Sequence, residues 1–243
     1  MRYPLTFTLF IAMHALLGAA RAGEGESNAP ERFRGLPLVF SDGFDEGMLK
    51  WEMTDPKAWA VVEEEGNKVL ALERPSIYEP PFRSPLNIAL VKGLELTDFI
   101  LEVRVKQTGK DYGHRDLCFF FGYQDPVHFY YAHLATKADE HANSIFIVNG
   151  APRVSIADER TPGTDWGRGV YHTVRVERTT ADGAVRVYFN DLEKPIMTAV
   201  DKTFLSGGVG LGSFDDTGRF DNVRIWGKKP ERKEDRTNGE PQS

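Results

Sequence analysis

A single cysteine in 243 residues, Cys118, has no partner within the chain. An internal disulfide framework and a zinc site made of cysteines are therefore both excluded. Basic charge is not in excess either, since 30 Lys and Arg stand against 36 Asp and Glu for a formal charge of −6. Without a basic stripe to meet phosphates, no nucleic-acid partner is expected. Long apolar runs are missing beyond the amino terminus, which argues against stable membrane insertion. Helical patterning is scarce as well, because no window longer than eight residues keeps a 3.6-residue period with caps. What remains is an ordinary apolar content of 41% punctuated by 23 Gly and 14 Pro, the profile of a globular chain held by a packed core.

The ends differ from the middle. Residues 1–22 read as an export signal: Met1-Arg2-Tyr3 is a short basic start, Leu5 to Leu17 an apolar run too short to span a bilayer, and Ala20-Arg21-Ala22 a small-x-small cleavage site. A secreted or periplasmic location follows as an expectation. Residues 23–37 are a polar leader, residues 38–227 one domain, and residues 228–243 a solvated, disordered tail without apolar side chains.

Within the domain, strands are expected nearly everywhere. In DFILEVRVKQ, Phe99, Leu101, Val103 and Val105 alternate with Ile100, Glu102, Arg104 and Lys106, a period of two with one wet face. Val174 and Val176, then Val185, Val187 and Phe189, repeat the pattern, and Thr180-Ala181-Asp182-Gly183 between them is the turn of a hairpin. A dozen or more short strands separated by Gly, Pro, Asn and Asp predict an all-β, two-sheet antiparallel sandwich.

Three stretches carry a sharper likeness. The run from Trp166 to Asp191, WGRGVYHTVRVERTTADGAVRVYFND, resembles the Trp–His–Val strand and following hairpin of laminin-G-like modules in the concanavalin A-like lectin/glucanase superfamily. The opening FSDGFDEGMLKW and the closing GGVGLGSFDDTGRFDNVRIWG are similar to the first and last strands of that superfamily, including the bacterial 3-keto-disaccharide hydrolase domain. The resemblance implies a jelly-roll sandwich that recognises carbohydrate, a glycan or polysaccharide. It also leaves open a glycoside- or polysaccharide-cleaving enzyme, and a structural interaction module, because one scaffold serves many functions.

In such jelly-rolls, sugars lie on the inward-curved face of one sheet. The aromatic-rich segment from Asp116 to Gly150 is the natural candidate. Strand parity puts Ala132 and Leu134 on the core side and Phe129, Tyr131 and His133 on the other. A ring beside a phenol and an imidazole suits the C–H faces and hydroxyls of a sugar. His114, Arg115 and Asp116 on one side, and His141 and Asn143 on the other, are expected to flank this groove, with Arg83 from the stiff connector Glu79–Pro85. Tyr131 and His133 are the candidates for proton transfer in an enzyme. The His114-Arg115-Asp116 triplet lacks the glycine loop and strand lysine of a kinase. The spacing of His133 and His141 matches no zinc motif. No paired-carboxylate strand of the Glu-x-Asp-x-x-Glu kind is present either, which disfavours two-carboxylate glycoside hydrolysis.

The cofactor expectation is a structural calcium ion. In RFDNVRIW, Asp221 is in phase with Val223 and Ile225 and so points inward, where an unpaired carboxylate is costly and a hard cation would relieve it. The resemblance implies Asp221 as ligand, with carbonyls from Asp42 to Phe44 and near Gly66. The alternative is that Asp221 accepts backbone N–H groups or pairs with Arg219 or Arg224. Trp51, Trp59, Trp166 and Trp226 read as core anchors, and Cys118 as a buried, inert thiol.

Overall fold

The computed structural model describes residues 29–231. The expected export signal, residues 23–28 of the leader and residues 232–243 of the tail lie outside the described residues. Along the chain run β1 (Arg32–Phe33), β2 (Leu36–Asp42), β3 (Trp51–Met53), β4 (Trp59–Glu64), β5 (Asn67–Leu72) and β6 (Asn87–Val91). The middle holds β7 (Phe99–Gln107), β8 (Asp116–Asp125), β9 (His128–Ala135), β10 (Ser144–Asn149), β11 (Val154–Ser155) and β12 (Ala157–Arg160). The last part adds β13 (His172–Thr179), β14 (Ala184–Phe189), β15 (Met197–Val200), β16 (Gly208–Ser213) and β17 (Gly218–Gly227).

These strands form two antiparallel sheets. The ten-stranded sheet runs β1-β2-β17-β7-β13-β14-β15-β12, with the β4–β5 hairpin joined to β17, and the seven-stranded sheet runs β11-β10-β9-β8-β16-β6-β3. The alternation read from the sequence decides which side chains meet between them. Leu101, Val103, Val105, Val174, Val176, Val185 and Val187 from one sheet face Leu117, Phe119, Phe121, Tyr130, Ala132 and Leu134 from the other. Each Val, Leu and Phe among them contributes roughly 1.5–3 kcal/mol on burial. Trp51, Trp59, Trp166 and Trp226 are all buried. Thr179 pairs with Ala184 around the expected four-residue turn, where Gly183 takes φ +80°.

The sandwich begins earlier than the expected boundary at Leu38. β1 folds back on β2, the Phe33 ring lies 5.2 Å from that of Trp226, and the indole Nε1–H donates to the Pro30 carbonyl at 2.8 Å. The polar look of this segment hid one apolar anchor, Phe33, whose partner comes from the far end of the chain.

A bulge in β17 corrects a second expectation. Asp221 pairs with Arg104 of β7, but the next paired residue is Arg224, opposite Glu102, and Asn222 takes φ +50°. The extra residue shifts the side-chain phase. Phe220, Val223 and Ile225 face the core, and Asp221 lies on the outer side of the ten-stranded sheet with Arg104.

Candidate functional site

The outer side of the seven-stranded sheet carries a second apolar cluster: Ile88, Cys118, Phe120, Phe129, Tyr131, Phe146 and Val148. Glycines make room for its rings. Gly210 and Gly212 of β16 stand beside Phe120 and Cys118, and a Cβ on Gly212 would lie 1.9 Å from the Asn87 carbonyl and 3.0 Å from the Phe120 ring. The chain between β5 and β6 is pinned against this region. Ser76 N–H bonds the Asn87 side chain at 2.8 Å, Leu86 N–H bonds the Phe214 carbonyl at 3.0 Å, and Arg153 N–H bonds the Arg83 carbonyl at 3.4 Å.

At the end of the cluster where β8 begins, the cover is incomplete. A cleft of about 100 Å³ opens there, lined by Arg83, Tyr112, His114, Asp116, His133, His141, Arg153, Phe214 and Asp215. Asp116 and His133 form its buried floor. Phe214 is its aromatic wall, with the Arg153 and Arg83 guanidinium carbons 4.3 and 5.6 Å from the ring centroid. Arg153 donates to the His141 carbonyl at 2.9 Å, whereas its Nε and Nη1 are buried without a partner among the described residues. Donors in this fork suit a carboxylate or sugar hydroxyls.

The floor is held by hydrogen bonds. One Asp116 oxygen accepts from Phe214 N–H at 2.8 Å and from the Cys118 thiol at 3.2 Å, and the other accepts from Ser213 Oγ at 3.1 Å. Burial works against the Asp116 charge, yet the adjacent His133 and these donors hold its carboxyl below the usual range. Asp216 responds oppositely. Burial, followed by the Asp116 charge, pushes it up to about 7, although it accepts from Asp116 N–H at 3.0 Å and Tyr112 O–H at 2.8 Å. Asp215 is raised by the same two causes. Neighbouring carboxyls are thus driven apart in acidity.

The expected site residues divide accordingly. Arg83, His114, Asp116, His133 and His141 converge on the cleft. Phe129 and Tyr131 do share a face with His133, but both are completely buried in the second cluster and do not line the cleft. The expected groove over Tyr131 is thus filled. Strand parity assigned the face correctly and could not show what covers it. Arg115 is buried and turned away, donating to the Gly167 carbonyl at 2.9 Å. Asn143 is a structural residue with φ +51°, bonded to Ala135 N–H, Thr164 Oγ1 and the Thr161 carbonyl. Tyr112, Arg153, Phe214 and Asp215 were missed. They come from loops and a strand end far apart in sequence, and the one local signal was the Phe-Asp-Asp step after β16.

For the calcium expectation, Asp221 is fully buried but engaged: it accepts from Asn222 N–H at 2.7 Å, Asn67 Nδ2 at 3.0 Å and Arg104 at 3.4 Å. Gly66 forms the β4–β5 turn with Glu65, both at positive φ, which brings Asn67 to Asp221. The Asp42 carboxylate takes Phe44 N–H, Lys50 and Trp51 Nε1–H, and the Phe44 carbonyl accepts from Gly47 N–H. Neither Arg219 nor Arg224 is the Asp221 partner, because the bulge delivers Arg104 instead. The buried Asn222 Oδ1 has no partner among the described residues.

No protein-family model matches the sequence, and no curated protein is significantly similar to it. Solved structures do match. A carbohydrate-binding module from Bacillus subtilis aligns over 74% of this chain and 96% of its own, at TM-score 0.51 and 21% identity. Winged bean acidic lectin, solved with methyl-α-D-galactose, aligns over 79% and 98% at TM-score 0.54 and 14% identity. Domain 4 of an extracellular arabinanase from Geobacillus stearothermophilus, solved with arabinotriose, aligns over 78% and 92% at TM-score 0.51 and 15% identity. At these identities the likeness establishes the fold, a concanavalin A-like β-sandwich.

Proposed function

We propose that this protein is a secreted carbohydrate-recognising domain and that it holds its ligand in the cleft between Arg83, Arg153 and Phe214. The observation that carries this reading is one aromatic wall flanked by two guanidinium groups, with histidines and a carboxylate beside it. An aromatic face packs on sugar C–H groups while charged forks meet hydroxyls or a uronate carboxylate. The small cleft suits a terminal or single sugar unit, and the two arginines favour an acidic one. The sugar-bound relatives of the same fold support the reading, and the Met1–Ala22 pattern supports export.

A glycan array carrying neutral and uronate-containing oligosaccharides, followed by calorimetry on the hits, tests it. Arg153→Ala and Phe214→Ala should each weaken binding about 10- to 100-fold, in line with loss of a charge-assisted hydrogen bond or a stacking surface. Absence of any glycan hit, or full binding by both variants, would overturn the proposal.

Cleavage of a glycoside or uronate polymer is the second reading, favoured by one observation. Asp216, pushed up to about 7 beside an Asp116 held low, retains a proton near neutral pH and, lying behind the cleft, connects to it through the cleft-lining Tyr112 hydroxyl that donates to it at 2.8 Å. Product analysis on any array hit decides it. A structural calcium ion beside Asp221 is the remaining reading, supported by the Asn222 Oδ1, which has no partner among the described residues, while the Asp221 carboxylate itself already meets three donors.

A further inference from the structure

The floor of the cleft holds a combination that the binding of a sugar does not explain. Asp116 and Cys118 are two residues apart on β8 and share its outer face, and Cys118 is paired directly with His133 on β9. Their ligand-type atoms, a carboxylate oxygen, Sγ and an imidazole nitrogen, all lie within 4.8 Å of one another. Asp116 Oδ2 stands 3.2 Å from Cys118 Sγ and 3.3 Å from His133 Nε2.

His133 is only 3% exposed, yet neither ring nitrogen makes a hydrogen bond among the described residues. The contact with Asp116 is close but not aligned for one. Buried imidazoles ordinarily satisfy at least one nitrogen, so two open ones leave a cost that calls for a ligand.

We propose that Asp116, Cys118 and His133 bind one divalent transition-metal ion of the zinc class, with a fourth position open toward the cleft. Thiolate, imidazole and carboxylate are the donor set such an ion prefers over calcium or magnesium. Binding releases the thiol proton, now hydrogen-bonded to Asp116, to solvent. A thiolate and a carboxylate then neutralise the dication, so the buried site carries no net charge. Ser213 Oγ and Phe214 N–H hold the Asp116 carboxylate in place, as outer partners do in metal sites. Because both Asp116 and His133 line the cleft, the ion has an entry path. The ligands stand on paired strands rather than loops, which favours a preformed site.

The test uses the full reduced chain, freed of metal by chelator and dialysed, and titrated with cobalt(II) alone. One equivalent should produce tetrahedral visible bands together with a near-ultraviolet thiolate-to-cobalt band, and one equivalent of zinc should erase both. Cys118→Ser should abolish the near-ultraviolet band, and His133→Gln should weaken binding on the order of 100-fold, since loss of even an outer partner costs 10–100-fold. If Cys118→Ser does not fold, X-ray absorption at the zinc edge of the wild-type protein should still find one sulfur at about 2.3 Å. Cobalt binding without a sulfur signature, as surface His114 and His141 would give, overturns the proposal. So does no binding at all. None of these readouts involves a glycan, so this site and the carbohydrate reading stand or fall separately.

Discussion

Replacing Glu64 by Gln probes the charged lattice that ties the β4–β5 hairpin to the outer side of the ten-stranded sheet. The Glu64 carboxylate accepts from the Lys106 ammonium, from Arg219 Nε at 2.9 Å and from Tyr171 O–H at 2.8 Å. Arg219 also reaches Glu73 at 2.9 Å, and the Arg104 guanidinium lies 3.9 Å from the Tyr171 ring centroid. Burial raises the Glu64 carboxyl, but Lys106, Tyr171 and Arg219 together outweigh it and hold the group at about 2 against an ordinary 4.5. The folded value is depressed, so the contribution is present above pH 4.5 and is lost as pH falls through about 2. That gap corresponds to about 3 kcal/mol in full. The side chain is 23% exposed, and solvent screening lowers the expected figure to roughly 1–2 kcal/mol. Gln keeps the shape and one acceptor while deleting the charge. Urea unfolding of wild type and Glu64→Gln at pH 7 should show the variant weaker by that amount, with the difference narrowing between pH 4.5 and 2. Equal stability at pH 7, or a difference independent of pH across that interval, would refute the reasoning.

Gly212→Ala should cost roughly 1–3 kcal/mol, because the new methyl would meet the Asn87 carbonyl at 1.9 Å and force β16 from β6; an unchanged melting temperature would mean that these strands do not approach so closely. Asp216 is raised to about 7 in the fold, so its ionisation penalty grows as pH climbs from the ordinary carboxylate range through 7. Asp216→Asn should therefore gain stability relative to wild type at pH 8 and little at pH 4, and a pH-independent difference in melting temperature would contradict this. If calcium binds at Asp221, adding it after chelation should raise the melting temperature by preferential binding to the folded state, and Asp221→Asn should remove that response. No response of the wild type would retire the calcium reading.

The sequence by itself determined the architecture, because alternation is a local property: a strand with Val103 and Val105 on one side and Arg104 and Lys106 on the other can bury only one face. That same rule separated Ala132 and Leu134 from Tyr131 and His133, and the Asp182-Gly183 step located a hairpin within residues that are neighbours in the chain. Parity carries no information about register breaks or about what lies above a face. One bulge at Asn222 moved Asp221 from the expected core side to the Arg104 side. Tyr131, expected in an open groove, is packed with Phe120, Phe129 and Phe146 in a closed apolar cluster. Only the tertiary structure could bring Tyr112, Arg153 and Phe214 to His133, since these contacts join loops and strand ends that no sequence period relates. The pairing of Cys118 with His133 was likewise decided by strand register, which depends on the packing of both sheets rather than on the spacing of the two residues along the chain.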